Sequence, residues 1–273
     1  MREIVYSAAP ELRSPVRFCA AAFADLRAGW PIALRLFRSN LRVRYRRSVF
    51  GYLWLLLPAL ATAGIAAFLH SRNIVRFAPT GLPYPLFVLC GMMLWQTFAE
   101  ALNAPLQQLQ AARQLVTRSR VPHEAIILAG LFELLLNALI RLLVLAAALL
   151  WLRVPVAPSL ALLPMAALSL AVLGLAGGLL LAPAGMLFDD TGRVITMGLS
   201  FAFFVTPVMY PIPADSVLRF NPVSPAIATA RRWIEGGAAA PGFYAVAAGG
   251  AVLLVVAWLF YRIARPHFVS RLG

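Results

Sequence analysis

Four arginines, Arg42, Arg44, Arg46 and Arg47, stand directly against an apolar stretch that runs from Val49 to Leu69. An uncharged stretch of that length needs hydrocarbon around it. A dense guanidinium cluster at its edge needs water and anionic headgroups. The junction therefore sets the direction of a first membrane crossing, with the preceding tail held in the cytoplasm. Composition points the same way. The chain is 62% hydrophobic and 12% charged, where a soluble domain holds ~45–50% apolar and ~25% charged residues. An all-α membrane protein is expected, with residues 1–30 as a cytoplasmic tail and 31–273 as one membrane domain.

Six stretches are long enough to cross a bilayer, at about 49–69, 85–102, 125–152, 160–188, 194–210 and 242–263. With six crossings and an internal N-terminus, seventeen arginines fall in cytoplasmic parts and six in outer ones, with Arg141 inside a span. That excess satisfies the positive-inside rule and places both termini in the cytoplasm. The net charge of +14 is carried beside the spans, so nucleic acid is not the expected partner. All 24 basic residues are arginine. A Walker loop needs a lysine on the β/γ-phosphates, so ATP and magnesium belong to another chain if nucleotide drives this one. The first thirty residues lack the compact apolar core of a cleavable signal. Cys19 and Cys90 are too far apart and too differently placed to frame a disulfide or metal site.

Three segments outside the spans carry pattern. Residues 31–45 read as an amphipathic interface helix opening on Pro31, with Ile32, Leu36, Phe37 and Leu41 on one side and Arg35, Arg38 and Arg42 on the other. The inner loop 104–123 holds a helix-compatible run, Pro105–Val116, then Arg118, Arg120 and Pro122. The outer segment 206–236 is too apolar for a solvated loop and too rich in proline for a span. Ser224 can cap a helix with Pro225 at its first turn, and Gly236–Gly237 can end it. Two short helices re-entering the outer leaflet are expected, because broken backbone at that depth needs protein or a water path beside it.

Glu133, Asn137 and Arg141 follow at i, i+4 and i+8 in the third stretch and share one helical stripe. Such a stripe either glues helices together or walls a hydrophilic conduit, and glue is the commoner use. Glu100 and Asn103 sit where snorkelling to water is easy. Tyr52, Trp54, Phe201 and Phe204 are aromatic candidates for packing, the interfacial belt or a channel wall. No catalytic triad, GxSxG elbow or HExxH is present, and no metal site is expected. The pair Asp189–Asp190 fits a turn between spans.

Four segments, RYRRSVFGYLW (44–54), LPYPLFVLCGMMLWQTFAEAL (82–102), QLVTRSRVPHEA (114–125) and TPVMYPIP…FNPVSPAIATARRWI (206–234), occur in order. Together they resemble the ABC-2 type permeases that export O-antigen, capsule or teichoic acid, collinearly from about residue 25. The resemblance implies a homodimer in a bacterial inner or plasma membrane, with two copies of a separate ABC ATPase beneath it and a lipid-linked glycan as cargo. It implies ATPase contact through Arg35, Arg38, Arg42, Arg44, Arg46 and Arg47 and through Leu115, Arg118, Arg120 and Pro122. It implies an outer gate at Pro207, Tyr210, Pro211, Pro213, Asn221, Pro222, Pro225, Arg231 and Arg232. Spans one and five would face the channel. One departure is Phe188-Asp189-Asp190, where relatives usually carry Arg-Asp after the aromatic; Arg193 stands nearby. Two other functions fit the same spans: an ABC-2 permease for a drug or simple lipid, and a membrane transferase drawing on Glu100, Asp189, Asp190, Asp215 or Glu235.

Overall fold

The computed structural model describes residues 15–46, 51, 53–72, 81–112, 123–211 and 216–272, without the side chains of 15–22, 44–46, 219 and 266–272. Eight α-helices carry the described chain: α1 (Pro15–Arg46), α2 (Leu53–Ser71), α3 (Tyr84–Ala111), α4 (His123–Trp151), α5 (Leu163–Leu187), α6 (Thr191–Val205), α7 (Ser224–Ile234) and α8 (Phe243–Leu272). Short 3-10 turns at Pro158–Leu162 and Val217–Phe220 lead into α5 and α7.

Among the described residues, five helices are long and apolar enough to cross a membrane. The expected fifth crossing is shorter than its apolar stretch. α6 has 15 residues, about 22 Å of helix against a hydrocarbon core of ~30 Å. It ends because Pro207 has no N–H to continue the ladder, and Thr206 turns to extended backbone. The chain is a multi-pass membrane protein whose described elements are helices and turns.

α3 occupies the centre, with α2, α4, α5, α6 and α7 all packed on it. It is buried on most sides, whereas α2 and α8 leave most of their surface uncovered. Small residues allow the tightest crossing, between α3 and α5. A Cβ on Gly174 would lie 2.6 Å from the Phe98 carbonyl oxygen, and one on Gly178 would strike the carbonyl of Leu102 and the ring of Pro105. Two glycines one turn apart let backbones touch where lipid supplies no hydrophobic drive.

Two prolines lie inside helices rather than at their starts. α3 passes through Pro105 and continues to Ala111, so the helix outruns the second apolar stretch, which ends at 102. Pro105 removes one ladder bond, and its ring fills the space that Gly178 leaves open. Pro31 lies inside α1, not at its first turn. The helix holds because its packing brackets the proline: Gly29 abuts Ala125, Ala33 is fully buried, and Trp30 and Phe37 meet Phe132 edge-on at 4.9 and 5.9 Å. The apolar side of α1 is thus applied to α4, while Arg35, Arg38 and Arg42 stay exposed.

Candidate functional site

The polar stripe of α4 meets a second stripe on α3. Arg141 Nη2 lies 2.6 Å from Glu100 Oε2, and Arg141 Nη1 donates to Thr97 Oγ1 at 3.4 Å. Asn137 Nδ2 donates to Glu100 Oε1, and Gln108 Nε2 donates to Glu133 Oε2 at 3.1 Å. Asn137 is 1% exposed and Arg141 4%. Glu100 does not simply snorkel to water: it is the counter-ion that lets Arg141 sit among apolar helices. Gln96, Glu100, Gln107 and Gln108 share a face of α3, a helical spacing visible in the sequence but not read there as a partner stripe.

The same residues wall a cavity of about 880 Å³ between α2, α3 and α4. Trp54, Leu55 and Pro58 border it on the α2 side, and Asn40 and Val43 at the end of α1, and it stays open to the surroundings. The α4 stripe joins α3 to α4, and its residues lie behind the wall of this hollow.

A second constellation organises the segment after α6. The chain folds back on α3 at Gly91, where a Cβ would collide with the Val208 carbonyl oxygen and the Arg231 guanidinium. The broken backbone is satisfied from within. Arg231, 7% exposed, donates to the carbonyls of Pro207 (2.9 Å), Phe87 (3.0 Å) and Val208 (2.6 Å), with its guanidinium 3.4 Å above the Phe87 ring. Burial lowers its pKa to about 10, so it remains a cation at neutral pH. A planar fork suits this task because it meets several carbonyls at once. Thr206, Asn221 and Val223 form a second tie: Asn221 Nδ2 donates to Thr206 Oγ1 at 2.8 Å, and its Oδ1 accepts from the Val223 amide at 3.0 Å. Asn221 thus caps the approach to α7, while Ser224 turns its hydroxyl to the Leu218 carbonyl instead. Tyr210 donates to the Phe204 carbonyl at 2.6 Å, and Gly236 ends α7 with φ +84°. Pro207 is buried, Pro211 and Pro225 are half-buried, and Pro222 and Arg232 are exposed.

A third cluster, unread in the sequence, lies where α1, α4 and α8 meet. Glu124, 4% exposed, takes Arg262 at 3.5 Å and Arg265 at 3.4 Å, while Arg262 also reaches Asp25 at 2.7 Å. His123 Nδ1 and the Tyr261 hydroxyl lie 3.1 Å apart beside it. Glu124→Gln removes the buried carboxylate between Arg262 and Arg265, with Arg262 keeping Asp25, and is expected to cost about 3 kcal/mol. Asp25→Asn, at a half-exposed partner, is expected to cost under ~1 kcal/mol. Melting of the purified chain in micelles checks the ordering, and equal melting points for both variants refute it.

Several expected positions stay apart or out of reach. Tyr52, Arg47, Leu115, Arg118, Arg120, Pro122, Pro213 and Asp215 lie outside the described residues, as do the side chains of Arg44 and Arg46. Trp54, Phe201 and Phe204 are exposed on α2 and α6. Asp189–Asp190 forms a turn, with Asp190 paired to Arg193 at 3.1 Å in full solvent contact. Glu100 is committed to Arg141 and Asn137. A transferase drawing on these acids therefore gains no assembled site among the described residues.

No protein-family model matches the chain. It is 27% identical over 206 residues to an O-antigen export system permease protein RfbA of Klebsiella pneumoniae, covering 72% of this chain and 78% of that one. A second RfbA of the same organism is 24% identical over 193 residues, covering 68% and 73%. The RfbA of Myxococcus xanthus is 25% identical over 182 residues, covering 66% and 68%. The chain is thus similar, over about two thirds or more of both lengths, to permease proteins of O-antigen export systems. The resemblance read from the four motifs is thereby borne out.

Proposed function

We propose that the chain is the membrane-spanning subunit of an ABC exporter that moves a lipid-linked polysaccharide outward across the bacterial inner or plasma membrane. ATP is hydrolysed on a separate ATPase subunit, two copies of which serve two copies of this chain. The observation that carries the reading is the likeness to O-antigen export permeases over most of both chains. The arginine asymmetry supports cytoplasmic termini. The exposed row Arg35, Arg38 and Arg42 on α1 supports a soluble partner there. The exposed aromatic faces of α2 and α6, which include Trp54, Phe201 and Phe204, support contact with a second copy or a channel wall. The folded-back segment 206–234 is read as the outer gate.

The test is reconstitution of the chain with its ATPase in sealed vesicles. ATP-dependent delivery of a lipid-linked glycan to the lumen is expected. Equal delivery by vesicles that hold the ATPase without this chain would refute the reading. Delivery of simple lipid or a hydrophobic drug in place of the glycan would move the chain to the other cargo class.

A further inference from the structure

The turn that follows α4 holds a cation in a costly place. α4 ends in a paired cap: the Arg153 amide donates to the Leu150 carbonyl and the Val154 amide to the Leu149 carbonyl, each at 3.1 Å. The residue at the bend of such a cap takes left-handed backbone, and glycine is its usual occupant. Here it is Arg153, with φ +53°, the one described residue other than glycine with positive φ. Backbone strain of this kind persists where the side chain has work to do. That work is not inside the protein. Arg153 is exposed, and its guanidinium has no ion pair or hydrogen bond among the described residues. Its neighbours are apolar and equally bare: Trp151 is 87% exposed and Val156 62%, with Leu150 and Leu152 exposed beside them. Depth identifies what meets this surface. Trp151 lies 27 residues beyond Glu124 on α4, about 40 Å along the helix, against ~40–45 Å for a bilayer with its headgroups. With Glu124 in the charged cluster at one end, Trp151 and Arg153 reach the opposite headgroup layer, the outer one by the arginine count. An indole settles between lipid chains and water, and a guanidinium meets a phosphate with two parallel hydrogen bonds.

We propose that Trp151 and Arg153 form a docking site for the phosphate headgroup of an outer-leaflet phospholipid. The guanidinium takes the phosphate, and Trp151 and Val156 lie against the glycerol and upper chains. The site reaches the folded-back segment through the turn that carries it. Ser159 Oγ donates to the Trp233 carbonyl at 2.6 Å, and Ala157 abuts Gly236, where α7 ends. A lipid that holds this turn thereby steadies α7, the helix of Arg231.

The full chain is melted in nanodiscs of phosphatidylglycerol and in nanodiscs of digalactosyldiacylglycerol, a bilayer lipid without phosphate. Arg153→Gly removes both cation and strain, and Arg153→Gln removes the cation alone. In the galactolipid, Arg153→Gly is expected to melt about 2–4 °C above the parent, and Arg153→Gln within about 1 °C of it. In phosphatidylglycerol both variants are expected to fall by about 2–4 °C from those positions relative to the parent, because only the parent keeps the guanidinium on the phosphate. The other arginines are common to all three chains, so their response to the lipid cancels. Shifts of equal size in the two bilayers overturn the site, since the cation would then serve only the end of the helix. So does inorganic phosphate that reproduces the phosphatidylglycerol pattern in galactolipid nanodiscs, which would make the ligand a soluble anion. Trp151 is read by fluorescence quenching, as the part of the signal that Trp151→Phe removes. Phosphatidylglycerol brominated near its headgroup is expected to quench it. An unquenched Trp151 would be covered by something other than lipid and would sink the proposal. Glycan delivery enters none of these measurements, so the export reading stands or falls separately.

Discussion

Arg231→Met is expected to be the most damaging single substitution at the α7 end. It removes three buried hydrogen bonds from a charged donor and strands the carbonyls of Pro207 and Val208, which sit where α6 has stopped and no ladder partner follows. Each stranded buried acceptor costs about 1–3 kcal/mol, and the cation over Phe87 is lost as well. A loss of at least about 3 kcal/mol follows, read as a lower melting point in micelles. Faster proteolysis within 206–223 should accompany it. Arg231→Lys keeps the charge but cannot fork across three carbonyls, so an intermediate loss is expected. Arg232→Met, one residue on and exposed, is expected to stay within about 0.5 kcal/mol of the parent. If Arg231→Met and Arg232→Met melt together, Arg231 is not the lock on this segment.

The second large effect belongs to Glu100 and Arg141. Arg141→Met leaves Glu100 facing Asn137 without a cation, and Glu100→Gln leaves a guanidinium with 5% of its side chain exposed and no counter-charge. Breaking one side of such a pair costs about 3–5 kcal/mol. The lower end applies, because Glu100 keeps 24% of its side chain exposed. The double variant Glu100→Gln with Arg141→Met removes both charges and is expected to recover most of that loss. This cycle separates the two uses of the stripe. If the residues only bind α3 to α4, glycan delivery recovers with stability. If they also serve the cavity, stability returns and delivery does not. A double variant as unstable as the worse single one would show that the pair is not the coupled unit described.

The sequence was most legible where one physical pattern had one solution. Apolar length located α2, α4, α5 and the start of α8 to within a few residues, because hydrocarbon leaves a polypeptide almost no alternative to helix, whereas α8 continues past 263 to Leu272. It failed where tertiary contacts override a local signal. Pro31 and Pro105 look like helix starts, but packing of Gly29 and Ala33 on α4 and of Gly178 on Pro105 carries each helix through its proline. The stretch 194–210 counts as a crossing, a short one, because its apolar composition continues past the point where Pro207 ends the helix. The α4 stripe was visible by spacing, but its partner was not. A lone Glu100 near a helix end reads as snorkelling until α3 is known to run on to Ala111 and keep it inside. The Asp25–Glu124–Arg262–Arg265 cluster joins residues as far apart as 25 and 262, and no periodicity within one helix announces such a meeting.

The position of α3 has a mechanical corollary. Gly91, on which the folded-back segment rests, and Glu100, which anchors the cavity wall, are nine residues apart on one helix. No proline interrupts the interval, and the rise is roughly 14 Å. A stiff strut cannot tilt at one of these points and stay still at the other. Any push that leans this mast must disturb the hollow beside it and the hasp at its far end in a single stroke.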